Sequence, residues 1–247
     1  MNEQSSSLLE VQDLGSGIVK IILNDPGHQN TLSEKMIDEL QSVFDAHTSG
    51  QSRVLVLAAS GKVFSAGHDL KELKAARSNA DQGKQYFQFI LKKCSTLMQS
   101  IVHHPKPIIA QVDGVATAAG CQLALSCDLV YASSSSQFAT PGVNIGLFCS
   151  TPMVALSRNA TVKHSMEMLL TGDFILAGEA ADKGLINTSL EQADLESHVL
   201  EKAKKIAAKS KTTLKIGKKA FYEQIEMPLS KAYEYASQVM VENMLEH

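Results

Sequence analysis

The chain has 247 residues, 44% hydrophobic and 20% charged, which is enough to bury a core as one domain with a smaller appendage and excludes a disordered chain. A net charge of −3 offers no electrostatic attraction to nucleic acid or an acidic membrane surface, and no apolar run approaches the ~20 residues needed to cross a bilayer. The opening MNEQSSSLLE has neither the basic-then-apolar layout of a secretory signal nor the Arg-rich bias of a transit peptide, so a cytoplasmic protein is expected, or a mitochondrial-matrix one if a leader has been removed.

In chain order, the β-branched run Ile18-Val19-Lys20-Ile21-Ile22-Leu23 predicts a strand that ends in an Asp25-Pro26-Gly27 turn. Thr31 with Glu34 fits a capping box, after which Met36, Ile37, Leu40, Val43 and Phe44 fall on one helical face. Residues 53–59 predict a second buried strand, and 63–70 an irregular stretch between strand and helix. Phe87, Ile90, Leu91, Cys94, Leu97, Met98 and Ile101 keep a 3-4-3 spacing, so a long helix is expected until His103-His104-Pro105. Another apolar run, 107–112, predicts a strand that turns through small residues into a helix from Cys121. A strand at 129–132, a polar loop at 133–136 and a Gly- and Pro-punctuated loop at 138–146 follow. Helices are expected at 152–158, 162–170 and 178–183, a short strand at 185–188, and helical spacing from Ala193 onward. Strands alternating with helices imply parallel pairing with crossovers over residues 1–190, an α/β core, and an all-helical region at 191–247. The strand-turn-helix unit recurs at 18–46, 53–102 and 107–127 without a residue-level repeat.

The four cysteines, Cys94, Cys121, Cys127 and Cys149, show no CxxC spacing and read as buried free thiols rather than disulfides or zinc ligands. The stretch from Asp113 to Asp128, DGVATAAGCQLALSCD, carries more information. A small-residue turn entering a helix lets other groups approach the backbone, and it leaves the first helical N–H groups unpaired with the positive end of the helix dipole behind them. Such a corner suits developing negative charge.

Two irregular stretches carry a resemblance. Phe64-Ser65-Ala66-Gly67-His68-Asp69-Leu70-Lys71-Glu72-Leu73 and Lys106-Pro107-Ile108-Ile109-Ala110-Gln111-Val112-Asp113-Gly114, with Ala119-Gly120-Cys121-Gln122-Leu123-Ala124, Cys127-Asp128-Leu129 and Phe138-Ala139-Thr140-Pro141, together resemble the enoyl-CoA hydratase/isomerase (crotonase) family, in register from about residue 18 onward. The resemblance implies a crotonase fold, a right-handed spiral of ββα turns with C-terminal helices that assemble homotrimers, often paired into hexamers. It implies an acyl-CoA thioester substrate in fatty acid metabolism, with coenzyme A part of the substrate and no separate cofactor or metal. The backbone N–H groups of His68 and Ala119 would grip the thioester oxygen, where two preorganised donors are each worth about 3 kcal/mol in the transition state. The segment Ser65, Ala66, His68, Asp69, Leu70 and Lys71 would lie along coenzyme A, with Lys71 toward its phosphates. Family members also continue past the position of His247 with a further helix that covers the acyl pocket.

The resemblance also locates two departures. A hydratase of this family uses two glutamates, and their positions fall here on Gln122 and Gly142. Glutamine can hold water but exchanges no proton near neutral pH, and glycine has no side chain. Glutamate-pair hydration is therefore not expected. Three readings remain: an acyl-CoA isomerase, decarboxylase or weak hydratase, a full hydratase, and a non-catalytic acyl-CoA-binding subunit. The His68 ring is a candidate proton carrier, and Cys149 reads as a packing thiol for want of a basic neighbour. Asp69 reads as a cap. Thr117, Thr140 and Asn144 are hydrogen-bonding candidates.

Overall fold

Between residues 54 and 139 successive strands go alternately to two sheets, and that alternation sets the architecture. The computed structural model describes residues 7–246; residues 1–6, read above for leader signals, and His247 lie outside the described residues. β1 (Leu9–Asp13), an edge strand not expected from the sequence, pairs antiparallel with β2 (Ile18–Leu23). Only Leu9 of β1 is buried, so its pattern carries little hydrophobic signal.

α1 (Glu34–Ala46) turns Met36, Ile37, Leu40 and Phe44 into the core. Its cap is Ser33, whose hydroxyl accepts from the Met36 N–H at 3.2 Å, and not a Thr31–Glu34 capping box. Glu34 is already helical, so the last extended residue before it holds the cap. β3 (Val54–Ala59) runs parallel to β2. The stretch expected to be irregular contains a short strand, β4 (Val63–Ser65), before α2 (Leu70–Ala76) and α3 (Lys84–Val102). The next unit repeats this order with β5 (Ile108–Val112), β6 (Val115–Thr117) and α4 (Ala119–Leu125), the helix opening two residues earlier than expected. The third supplies β7 (Leu129–Ser133), β8 (Gln137–Ala139), a 3-10 turn at Pro141–Ile145, α5 (Pro152–Asn159) and α6 (Val162–Thr171).

β9 (Ile175–Leu176), α7 (Ala177–Asp182) and β10 (Thr188–Leu190) complete the core. β10 replaces the strand expected at 185–188. The Leu185 and Ile186 amides are taken by the Ala180 carbonyl closing α7, so pairing with β7 starts only at Thr188. Three helices follow: α8 (Gln192–Ala207), α9 (Lys211–Gln224) and α10 (Leu229–Leu245).

The six-stranded sheet has the order β1-β2-β3-β5-β7-β10 and the four-stranded one β4-β6-β8-β9. Each ββα unit thus sends its first strand to one sheet and its second to the other, all parallel except edge strands β1 and β9. Parallel crossovers of this kind wind right-handed, which gives the expected spiral. The main core lies between the sheets and α1, α3 and α4, while Leu195, Val199, Ala203 and Ala207 of α8 cover Ile18, Val54, Val56, Ile109 and Tyr131 on the outer face. α9 is pinned to the core by charge. Lys218 Nζ meets Asp128 Oδ2 at 2.8 Å and the Tyr222 hydroxyl donates to Asp128 Oδ1 at 3.0 Å, while α10 packs on α9. Among the described residues no helix is long and apolar enough to cross a membrane.

Candidate active site

The ends of β4 and β6 deliver two backbone turns to one place. Gly67 has φ +87°, and a Cβ on it would stand 3.0 Å from the Ala119 nitrogen and 3.1 Å from the Ala118 Cβ, so only glycine lets the two turns approach this closely. The turn at 65–69 is held from several sides. The Ser65 hydroxyl, fully buried, accepts from the Gly67 N–H at 3.3 Å, and the Ala66 N–H donates to the Gln29 carbonyl at 3.1 Å. Leu32 bridges to His68 as an isolated parallel pair, its N–H donating to the Gly67 carbonyl at 2.8 Å. Such a bridge engages the groups on either side of His68 and leaves the His68 amide itself unspent.

The second turn is strained. Ala118 sits at φ 49°, ψ −122°, a region that costs a non-glycine residue about 1–3 kcal/mol and persists only where its surroundings impose it. Here the Ala118 N–H donates to the Ala139 carbonyl at 3.0 Å, and the Thr117 hydroxyl donates to the Ala66 carbonyl at 3.2 Å, tying this turn to the first. Ala119 is the first residue of α4, where no preceding turn supplies its amide with a carbonyl. The structure therefore brings Gly67, the residue before His68, against the Ala119 backbone.

The other candidates separate by role. Asp69 caps α2, its Oδ1 accepting from the Lys71 N–H at 2.7 Å. Leu70 and Lys71 are exposed at the start of that helix, and Asn144 is exposed on the 3-10 turn. Cys149 is buried, and burial pushes its thiol up while the Gly142 N–H partly offsets this, so it stays protonated at neutral pH as a packing thiol. Gly142 is closed in: a Cβ there would stand 2.3 Å from the Leu147 carbonyl oxygen and 2.8 Å from Cys149 Sγ.

Seven buried side-chain nitrogens and oxygens among the described residues meet no hydrogen-bonding protein group, and four of them are the two ring nitrogens of His68, Oε1 of Gln122 and Oγ1 of Thr140. Leaving such an atom unpaired costs about 1–3 kcal/mol, and these four fall on three residues of the matched segments. Burial pushes the His68 imidazole pKa down, with the nearby Leu32 carbonyl acting in the opposite sense without meeting either nitrogen in hydrogen-bonding geometry. The ring is neutral near pH 7 and is the one group of this set that can take a proton there.

No carboxylate belongs to the set, and among the described residues no group of three or more His, Cys, Asp or Glu is arranged to hold a metal. A surface cavity of about 370 Å³ lies elsewhere, against Glu167, Asp173 and Glu179, where three carboxylates would repel a polyanionic ligand. Sequence reasoning missed the Leu32 bridge, the Ala118 strain and the Leu147 carbonyl, because each is a backbone contact between segments far apart in the chain.

The enoyl-CoA hydratase/isomerase family model matches residues 13–247. The enoyl-CoA hydratase domain-containing protein 3, mitochondrial, of Rattus norvegicus is 47% identical over 229 residues, covering 92% of this chain and 75% of that protein. Among solved structures, an enoyl-CoA hydratase of Mycobacterium smegmatis superposes with a TM-score of 0.92 at 42% identity, covering 97% of this chain and 91% of that one. The human enoyl-CoA hydratase domain-containing protein 3 gives a TM-score of 0.91 at 44% identity, covering 96% and 92%.

Proposed function

We propose, from the premise that this chain belongs to the enoyl-CoA hydratase/isomerase family, that it binds a fatty acyl-CoA thioester and stabilises negative charge on the thioester oxygen through the His68 and Ala119 amides. The observation that supports this reading is the approach of Gly67 to Ala119, whose nitrogen would stand 3.0 Å from a Cβ on residue 67. Removal of a proton or carboxylate next to a thioester builds charge on that oxygen, and donors already in position cost no reorganisation when it forms. Ser65, Ala66, His68, Asp69, Leu70 and Lys71 would run beside coenzyme A, the exposed Lys71 meeting its phosphates. Coenzyme A enters with the substrate, and the reading requires no other cofactor.

Proton transfer is the weak point of this site. Gln122 and Gly142 supply no exchangeable proton, and the Cys149 thiol is held protonated, which leaves the neutral His68 imidazole. The reaction class this fits is isomerisation, decarboxylation or slow hydration with Gln122 orienting water. A second reading, a non-catalytic acyl-CoA-binding subunit, is favoured by the closure around Gly142.

Assembly belongs to the proposal too. Val162, Met166 and Leu170 stand exposed at four-residue spacing along α6, and Phe221, Leu229, Tyr233 and Met240 are exposed on α9 and α10. Large apolar side chains in rows are what a partner subunit covers, in support of a homotrimer or hexamer. The names of the rat and human relatives include "mitochondrial", which fits the matrix alternative for its compartment.

Calorimetry with butyryl-CoA and turnover of short and medium 2-enoyl-CoA thioesters test the proposal together. Binding with slow or no hydration is expected. Hydration at the rate of a two-glutamate enzyme would refute the site reading, and no binding of any CoA thioester would remove both the enzyme and the binder.

A further inference from the structure

Asn30 is fully buried and directs its side-chain amide at backbone alone. Its Oδ1 accepts from the Asp25 N–H at 2.8 Å, and its Nδ2 donates to the Ser60 carbonyl at 2.9 Å and the Val63 carbonyl at 2.7 Å. Ser60 follows the end of β3 and Val63 opens β4, so one amide clasps the loop at 25–32 to both ends of the connection that leads into the site. The backbone calls for this residue type as well. Gln29 and Asn30 lie at φ 56° and 49°, two successive left-handed residues, and asparagine is among the few side chains that tolerate that region. The residues flanking Asn30 grip the turn that carries His68. The Gln29 carbonyl accepts from the Ala66 N–H at 3.1 Å, and the Leu32 N–H donates to the Gly67 carbonyl at 2.8 Å, with Leu32 bridged to His68.

We propose that Asn30 is a positioning residue for the oxyanion hole: by fixing residues 29–32 against β3 and β4, it sets the direction in which the His68 amide points. This rests on the acyl-CoA reading above. Both amide hydrogens of Asn30 are taken by backbone carbonyls, so it has nothing left to donate to a substrate, and its effect on the thioester travels through the backbone it holds. A hydrogen bond weakens steeply once its donor leaves the line to the acceptor, and a group misplaced by about 1 Å forfeits most of its effect on a reacting centre. The two properties of asparagine separate by substitution. Glycine at position 30 keeps the left-handed backbone and deletes the clasp, whereas aspartate keeps the acceptor for the Asp25 N–H and loses both donors.

The test is calorimetric titration of the full chain with butyryl-CoA and with S-butyl-CoA, a thioether that keeps coenzyme A and the alkyl chain but has no carbonyl oxygen. The carbonyl of isotopically labelled butyryl-CoA is followed in parallel by carbon NMR. In the wild type that resonance should move downfield on binding, as a polarised carbonyl does. Butyryl-CoA should also bind about tenfold tighter than S-butyl-CoA, the ratio of one well-made hydrogen bond. Asn30→Gly should lose most of that ratio and of the downfield shift, with S-butyl-CoA affinity unchanged. Asn30→Asp should do the same, and takes its place if the glycine variant does not fold. A variant that unfolds more easily yet keeps the full ratio and shift would overturn the proposal and leave Asn30 a structural clasp. Equal weakening of both ligands would overturn it too, since a displaced hole affects only the ligand with a carbonyl oxygen. If the wild type binds butyryl-CoA with no carbonyl shift, the oxyanion-hole reading itself fails and takes this proposal with it.

Discussion

Gly142 and Cys149 are fitted against each other, with 2.8 Å between Cys149 Sγ and the position a Cβ on residue 142 would take, and the Leu147 carbonyl closer still at 2.3 Å. The glycine is thus built into its loop. Gly142→Ala should destabilise the protein by about 1–3 kcal/mol, the usual cost of forcing atoms into a packed site. Cys149→Ala should not rescue it, because the Leu147 backbone remains in the way. Urea unfolding midpoints check this, and an unchanged midpoint for Gly142→Ala would count against the closure. For the same reason Gln122→Glu combined with Gly142→Glu should not produce an efficient hydratase.

Gly67→Ala should weaken acyl-CoA binding beyond its effect on stability. The new Cβ meets the Ala119 nitrogen and Ala118 Cβ at 3.0 and 3.1 Å, and φ +87° disfavours any side chain. Backbone strain of this kind costs about 1–3 kcal/mol. Denaturation and calorimetry on the same variant separate the two effects; a stability loss with unaltered affinity would detach Gly67 from the binding site.

Acid should destabilise the fold in part through His68. Its folded pKa lies below the ordinary 6.5 because burial disfavours the charged ring, so on acidification the unfolded chain takes up the proton first. The stability is whole above about pH 6.5 and is lost as pH falls toward the folded pKa. His47 and His104 are shifted the same way by burial, so His68→Asn should flatten only part of the acid slope and leave the slope above pH 7 unaltered. Unfolding at a series of pH values measures this.

Asp128 should be the most sensitive anchor of α9. It accepts from the Ile108 N–H at 2.7 Å, Lys218 at 2.8 Å and Tyr222 at 3.0 Å. Removing it leaves a buried ammonium whose pKa burial already pushes down. Asp128→Ala should cost about 3–5 kcal/mol, and Lys218→Met less, since the carboxylate it leaves is the less buried partner and keeps the Ile108 N–H and the Tyr222 hydroxyl. Equal losses for the two variants would show that pairing is not what holds the helix.

Met166→Glu should shift the assembly toward monomers by placing a charge in the exposed apolar row of Val162, Met166 and Leu170. Sedimentation velocity across a concentration series reads this directly. An unaltered distribution would clear α6 of any interface.

Most core strands and helices were legible in the sequence because their signals are periodic and local. Ile18–Leu23 and the Met36–Phe44 face bury most of what their spacing predicts, and the α3 stripe buries Ile90, Cys94, Leu97, Met98 and Ile101 while Leu91, expected on it, is exposed. β1 and β10 were not, because an exposed edge strand lacks the alternation that betrays a buried one, and β10 begins where α7 releases its last amides. β4 and β6 are three residues each, too short for periodicity, yet they aim both turns of the site.

The sequence by itself determined the family, and it placed no carboxylate at Gln122 or Gly142, since residue identity needs no coordinates. It also indicated that the small-residue corner opens a helix. Only the tertiary structure decided that Gly67 abuts Ala119, that Ala118 is strained, that Cys149 and Leu147 close over Gly142, and that Thr140 and Gln122 are buried without partners. Those are contacts between backbones and loops far apart in the chain, and their spacing depends on how the ββα turns stack, which no local pattern of side chains encodes.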